Sequence, residues 1–425
     1  MRSLISSFEG FWNWVKVEEV SIFSTHLNLM SSRTSDLKDL APVCIMPAEK
    51  HGKRSRQAPL ESDLMCCINE LPDEMLMNIL SNLEVKEAAK TSVLSRKWRN
   101  LWTFSANLDF DRTWKKLWKK LWENLEIDVR DLWMLYSDTK RQKHGVHKFM
   151  ESVSNVLDRH RGSTLDRLRI AFNMHFYCPC IEQYVAKWVD FALVKRVRIL
   201  ELDLTSASGS DVSESACAFP SWLLSIPLDL PCFDRLTALC LNSVSISDAE
   251  LAYFLSSCPL LEQLSVRNAR GLKNVRVSGV ALTLNRLEIG SNYVCDQLES
   301  VEICAPNLTS FKYGWCREPT VKMCLTDVPK LAWISLRNSS CEHSIVKFHN
   351  DLCLSRMKKL ELDLRSMDHD RCLQFPRSFP ELNNLEDLGL KFIVREDENL
   401  LFLNSIIAAS PCLQKLTMEV HVRLN

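Results

Sequence analysis

The chain has 425 residues, 46% of them apolar and 25% charged, which is the balance of an ordinary globular protein rather than a disordered one. Its 53 lysines and arginines are matched by 53 aspartates and glutamates, so no net charge remains to neutralise a phosphate backbone or hold an anionic membrane, and broad nucleic-acid binding is not expected. Only 10 glycines occur, no two within five positions of each other, and this excludes the dinucleotide, P-loop and nucleophile-elbow signatures, each of which needs a closer pair.

Residues 1–65 hold no sustained helical or strand period and read as a loose leader, with Met46 as a second plausible start. The leader ends in a basic stretch, where Lys50, Lys53, Arg54 and Arg56 suit a nuclear import receptor as well as they suit a solvated linker. A location in the nucleus, the cytoplasm or both is expected. The 17 cysteines are odd in number, none is separated from another by two residues, and no charged-then-apolar secretory leader precedes them, so they read as reduced thiols. The longest uncharged run, Asn399 to Gln414, contains Asn, Ser, Pro and Gln and falls short of the ~18 apolar residues that a bilayer span requires.

Between residues 66 and 105 the pattern tightens. Pro72 suits a first helical position, and Asp73 and Glu74 follow where the helix dipole favours anions. Leu76, Ile79, Leu80 and Leu83 then form one stripe at helical spacing. A second short helix fits Val85 to Leu94. Ser95 suits the cap of a third, in which Leu94, Trp98, Leu101 and Trp102 share a face. Three such helices are too small to bury a core of their own, so the unit is expected to dock on something.

Residues 106–160 read as a helical linker. Within it Trp114, Trp118 and Trp122, with Leu117 and Leu121, fall at helical spacing beside Lys115, Lys116, Lys119 and Lys120. Such a basic amphipathic helix packs neighbouring units together, lies on an anionic membrane or fills a calmodulin-like groove.

From 161 to 425 the sequence repeats. The spacing apolar-x-x-apolar-x-apolar recurs at Leu165/Leu168/Ile170, Val197/Leu200/Leu202, Leu236/Leu239/Leu241, Leu261/Leu264/Val266, Leu284/Leu287/Ile289, Leu308/Phe311/Tyr313, Leu331/Ile334/Leu336, Met357/Leu360/Leu362, Leu385/Leu388/Leu390 and Leu413/Leu416/Met418. From Leu236 onward the copies start 23 to 28 residues apart, the period of a leucine-rich repeat. Leu298/Val301/Ile303 has the same spacing out of phase and reads as ambiguous, with the far side of one repeat as one placement. Segments such as Asp248 to Pro259 and Glu398 to Pro411 read as helical returns stopped by proline. The fold expected is α/β: a leucine-rich-repeat solenoid of short parallel strands with helical or irregular returns, preceded by a small three-helix unit.

Leu71-Pro72-Asp73-Glu74-Met75-Leu76, the stripe to Leu83, and Val93-Leu94-Ser95-Arg96-Lys97-Trp98 resemble an F-box. Leu200-Glu-Leu-Asp-Leu, Leu255-Ser-Ser-Cys-Pro-Leu-Leu-Glu-Gln-Leu and Ala305-Pro-Asn-Leu are similar to the plant F-box proteins with leucine-rich repeats, including their FBD-type relatives, although an FBD domain itself is not seen. The resemblance covers about residues 66–420. It implies a substrate receptor of a Skp-cullin-F-box ubiquitin ligase: the F-box binds a Skp-type adaptor, and through it cullin, while the repeats bind the protein to be ubiquitinated. The adaptor contacts it implies are Leu71, Pro72, Ile79, Leu80, Leu83, Val93, Leu94 and Trp98. The alternative is a repeat scaffold that binds a protein or ligand with no role in ubiquitination.

By strand alternation, the residues between the inward leucines face the concave surface. These include Arg167, Arg169, Glu201, Asp203, Gln263, Ser265, Arg286, Ser335, Lys359, Asp363, Asp387, Lys415 and Glu419. The target contacts singled out are Arg267, Glu288, Lys312, Trp333, Arg337, Glu361 and Lys391, with Trp333 and Arg337 foremost by residue type. Mixed signs favour a protein target over a nucleic-acid strand. No catalytic residue, cofactor or metal is expected: His144, His147, Cys178 and Cys180 have zinc-ligand chemistry but the wrong spacing, and no cysteine is singled out as an activated nucleophile.

Overall fold

A computed structural model of the chain describes residues 70–83, 85–112, 139–173, 180–205, 217–225, 233–279, 282–291, 298–315, 321–338, 356–364, 381–395 and 402–423. The leader, its basic run, the Trp114 to Trp122 segment and Cys178 lie outside these residues.

The first helix, α1 (Asp73–Ser81), begins one residue after Pro72, whose carbonyl accepts from the N–H groups of Met75 and Leu76. Asp73 and Glu74 occupy its first turn. The second, α2 (Val85–Lys90), ends four residues earlier than its apolar pattern suggests and passes into a single 3-10 turn, Thr91–Val93. The third expected helix is also 3-10, spanning Trp98–Phe104 with Lys97 rather than Ser95 at its cap. Three residues per turn bring Trp98 and Leu101 onto one face, and both are buried. With Leu76, Leu80 and Ala88 they form a small separate core.

The strands follow as β1 (Asn107–Arg112), β2 (Arg167–Phe172), β3 (Ile199–Asp203), β4 (Cys217–Ala218), β5 (Ala238–Asn242), β6 (Val244–Ser245), β7 (Gln263–Arg267) and β8 (Asn274–Ser278). They continue as β9 (Arg286–Ser291), β10 (Ser300–Cys304), β11 (Ser310–Trp315), β12 (Lys322–Thr326), β13 (Trp333–Asn338), β14 (Lys359–Asp363), β15 (Asp387–Arg395) and β16 (Lys415–Arg423). Between them lie α3 (Thr139–Arg159), α4 (Ile181–Val194), α5 (Asp248–Ser257) and α6 (Phe402–Ala408).

An 11-stranded parallel sheet runs β1-β2-β3-β5-β7-β9-β11-β13-β14-β15-β16. Its register aligns the repeat residues rung by rung: Leu168 with Leu200, Leu200 with Leu239, Leu239 with Leu264, and Leu264 with Leu287. The rungs continue through Phe311, Ile334, Leu360, Leu388 and Leu416. These side chains are buried as far as Leu388, in one continuous core. Such stacking suits a short strand, because burial of a continuous apolar ladder offsets the ordering cost that no single repeat meets alone.

Strand β1 is an addition to the sequence-based expectation, which had only a helical linker there. Leu108 and Phe110 pair with Leu168 and Ile170 and extend the ladder by one repeat. The position that Leu165 fills in the next repeat is taken here by Ser105, so the three-residue apolar signature is broken. Ser105 is nonetheless buried, with its hydroxyl donating to the Asn107 carbonyl at 2.9 Å.

On the opposite side of the core, β8, β10 and β12 make a three-stranded parallel sheet with β10 in the middle. Val301 and Ile303 pair there with Val275 and Val277, which places the out-of-phase copy on the return side. Two returns expected to be helical contain α5 and, within its described part, α6. A capping box fixes the start of α5: Ser247 N–H donates to Glu250 at 2.7 Å, and Glu250 N–H donates back to the Ser247 hydroxyl at 3.3 Å. At the strand ends, Asn268 donates to Asn242 at 2.8 Å and Asn242 donates to Asp203 at 3.0 Å, so one buried polar ladder ties three repeats together.

Candidate functional site

The residues expected to bind partners lie on two surfaces: the outer side of the helical unit and the face of the main sheet turned away from the core. In the helical unit, the stripe read from the sequence divides into two rows. Leu76 and Leu80 are fully buried, whereas Met75, Ile79 and Leu83, four residues apart, are 57%, 45% and 39% exposed. Val93, at the end of its 3-10 turn, is 86% exposed, and Leu94 beside it is also exposed. Pro72 is exposed and Leu71 half-buried. Of the residues expected to contact an adaptor, Leu80 and Trp98 are therefore core residues that hold the others in place. Burial against Ala88 and Leu101 removes them from the surface, a distinction that helical spacing alone does not make. Met75, not singled out from the sequence, joins the exposed row, which appears only once the side of α1 that faces the core is known. Lys97 braces the entry of α1 from below, with its ammonium on the Leu71 carbonyl and 3.3 Å from Asp73.

The helical unit joins the solenoid through buried polar contacts. Arg161 N–H donates to the Thr103 carbonyl at 2.8 Å, and Asp166 N–H donates to Ala106 at the same distance. His160 is buried between them with Nε2 3.0 Å from the Ser105 carbonyl oxygen, which can only accept, so the neutral ring carries its proton on Nε2. Burial pushes its pKa below the usual 6.5; the Ser105 contact opposes this and the charge of Lys195 adds to it. Val85 of α2 packs into the large core.

On the sheet's outward face, the residues expected to meet a target fall into rows set by register. Glu288, Lys312, Ser335 and Glu361 lie side by side across β9, β11, β13 and β14. Arg267, Gly290, Gly314, Arg337, Asp363 and Lys391 form the next row. Trp333 is half-buried, with the ammonium groups of Lys312 and Lys359 4.6 and 4.9 Å from its ring centre. Arg337 lies 3.4 Å from Asp363, Glu361 2.9 Å from Lys359, and Lys391 2.6 Å from Glu419. Towards the start of the sheet, Arg169 bridges Asp109 and Asp111, both at 2.9 Å, and reaches Glu201 at 3.3 Å; Arg167 meets Glu201 at 2.9 Å. These five residues clamp β1, β2 and β3 together. The paired glycines, Gly290 and Gly314, were missed; their signal was a glycine at the same offset in two successive repeats, Leu287-Glu-Ile-Gly and Phe311-Lys-Tyr-Gly.

Burial raises the Cys217 thiol to about 12 and the Cys240 thiol to about 11, with nearby carboxylates adding to both, and it raises Cys258 as well. These shifts run opposite to nucleophile activation. Cys180 is disulfide-bonded, which corrects the reading of every cysteine as a thiol; its partner lies outside the described residues. His147 pairs with Glu151 at 3.3 Å and stacks edge-on to Tyr184. Among the described residues no cluster of metal-ligand side chains forms and no helix is long and apolar enough to cross a membrane.

Comparison with known proteins finds two family matches in the chain. Residues 68–108 match the F-box domain family, and residues 227–424 match the family described as At1g61320/AtMIF1, LRR domain. In Arabidopsis thaliana, the F-box/LRR-repeat protein At3g58900 is 30% identical over 268 residues, which cover 59% of this chain and 73% of that protein. The putative F-box/LRR-repeat protein At3g18150 is 24% identical over 406 residues, 89% of this chain and 76% of its own length. The putative F-box/FBD/LRR-repeat protein At5g22670 is 26% identical over 290 residues, 66% of this chain and 54% of its own length, so the chain spans about half of that relative. A repeat ladder behind a helical hook of this pattern, with these matches, makes the chain a member of the plant F-box/LRR-repeat family.

Proposed function

We propose that this protein is a non-catalytic substrate receptor of a Skp-cullin-F-box ubiquitin ligase, with residues 66–105 as the adaptor-binding module and a repeat solenoid that starts at β1 and continues through 161–425. The observation that carries the reading is the two-sided helical unit: one apolar row closes its core, and a second row, Met75, Ile79 and Leu83 with Val93 and Leu94, stays exposed without a core to fill. Large exposed apolar residues on so small a unit suit a protein interface. The Skp-type adaptor is the partner that F-box membership implies, and cullin follows through it. The contribution to ubiquitination is proximity, since a target held on the sheet face beside a charged conjugating enzyme reacts as if intramolecularly. The setting proposed is the nucleus, the cytoplasm or both, which imaging of a tagged chain checks.

Co-purification with a plant Skp-type adaptor tests the reading. Ile79→Lys with Leu83→Lys places charge on the exposed row and is expected to weaken adaptor retention at least tenfold with little change in melting temperature. Retention of the adaptor by that variant, or no association of the unmodified chain, removes the ligase reading and leaves a repeat scaffold.

A further inference from the structure

Charge on the outward face of the sheet is unevenly satisfied. At both ends it is cancelled where it arises: Arg167 and Arg169 by the carboxylates of β1 and β3, Lys359 by Glu361, and Lys391 by Glu419. In the middle, from β7 to β13, it is not. Arg267 and Arg286 are exposed and make no ion pair among the described residues. Lys312 lies over the Trp333 ring rather than against a carboxylate. A single acid, Glu288, faces outward on these strands, and the Ser265 hydroxyl donates to it at 2.7 Å. Arg337 alone of these central cations reaches an acid, Asp363 on the next strand.

Backbone geometry opens the same place. Between Arg267 and Arg337 the row is occupied only by Gly290 and Gly314. A methyl group on Gly290 would come within 2.6 Å of the Gly314 carbonyl oxygen, so this strand crossing admits no side chain at 290. The sheet is therefore bare for two strands with a guanidinium on each side. At about 4.8 Å per strand the flanking strands are about 14 Å apart, the length of about four residues of extended chain.

We propose that this stretch receives an extended acidic segment of the protein that the repeats select, its carboxylates against Arg267, Arg286 and Lys312 and its backbone laid over Gly290 and Gly314. The inference rests on the proposed receptor role and adds the chemistry of what is received. Carboxylates are favoured over a nucleic-acid backbone because the unpaired cations are confined to the centre, while at both ends of the face the cations are already taken by carboxylates and offer no continuous phosphate track. Residues just outside the acidic core of the segment meet a face whose acids already have partners, Asp203 with Asn242 on one side and Asp363 with Arg337 on the other, which favours neutral residues there.

Panning a random heptapeptide library on the immobilised full chain tests the proposal, and the same preparation is assayed separately for adaptor retention so that the two readings fail independently. Aspartate and glutamate are expected to be enriched at least threefold in the selected peptides, and retention is expected to fall as salt rises. Two variants sharpen the result. Reversing charge with R267E, R286E and K312E together is expected to shift the selection to lysine and arginine. Gly314→Leu, whose Cβ meets only ordinary contacts at 3.5 Å with Arg337, fills the bare row without changing charge and is expected to weaken the selected peptides about tenfold. Melting curves check that both variants fold; if the triple variant melts early, R267Q with R286Q carries the charge test and is expected to erase the acidic enrichment. No selected peptide, a selection without acidic enrichment, an enrichment unchanged by the charge variants, or preferential retention of a uridine homopolymer RNA over the acidic peptides would each overturn the proposal.

Discussion

At the scale of single residues, His160 links the helical unit to the first repeats. Its ring fills the space beside Gly162, where a Cβ would come within 2.8 Å of it, and it stacks edge-on to Phe191. Lys195, at the end of α4, donates to the Gly162 carbonyl at 2.6 Å and faces the same site. Because burial depresses the folded-state pKa below 6.5, the unfolded chain binds the proton first as pH falls. The stability this neutral imidazole provides is complete above about pH 6.5 and is lost as pH drops through the lower folded-state value. His160→Gln keeps a donor for Ser105 but cannot titrate. Thermal melts between pH 7.5 and 5.5 are expected to show a shallower loss of melting temperature for the variant than for the unmodified chain; equal slopes refute the assignment.

At the scale of elements, the helical unit shows how one amphipathic pattern serves two ends. Leu76, Leu80, Trp98 and Leu101 close a core that is very small, so each member carries a large share of it. Trp98→Ala is expected to cost about 3–5 kcal/mol locally. Hydrogen exchange checks this: amides of 73–104 lose protection while those of β5 to β11 keep theirs. On the proposed receptor role, the same variant is expected to lose the adaptor indirectly and Ile79→Lys to lose it with protection intact, which separates support from contact. Strand β1 makes the complementary point, since its attachment relies on Arg169 reaching two acids of β1 and one of β3.

At the scale of the whole molecule, the sheet is a one-dimensional stack in which each repeat packs on its neighbours, so damage in the middle should spread by uncoupling two halves. Leu287 lies on the central strand of the ladder, 1% exposed, between Leu264 and Phe311. Leu287→Ala is expected to cost about 2–5 kcal/mol through lost burial and the cavity left behind. Chemical denaturation is expected to change from one transition to two, with the repeats before and after β9 unfolding at different denaturant concentrations. A single unshifted transition contradicts the nearest-neighbour picture. The last strand differs from the rest: Leu416, Met418 and Val420 are 38%, 48% and 43% exposed, because no further repeat of the described chain packs on them.

The repeat beat alone determined the solenoid, since a strand's inward positions are set by spacing within half a dozen residues and the same spacing returns at a nearly constant interval. The F-box was legible as a resemblance, because the Leu-Pro opening, stripe and Trp98 run are local. Position 105 marks the limit of that logic: one serine in place of a leucine hid a whole strand, which only its pairing with β2 reveals. Which row of α1 faces inward, and so which of Leu80 and Ile79 is available to a partner, depends on Trp98 and Leu101, about twenty residues along the chain. Which charges on the sheet are satisfied depends on neighbours one repeat away, such as Asp109 for Arg169, 60 residues earlier. Tertiary structure alone decided these because strand register, not sequence proximity, brings the partners together.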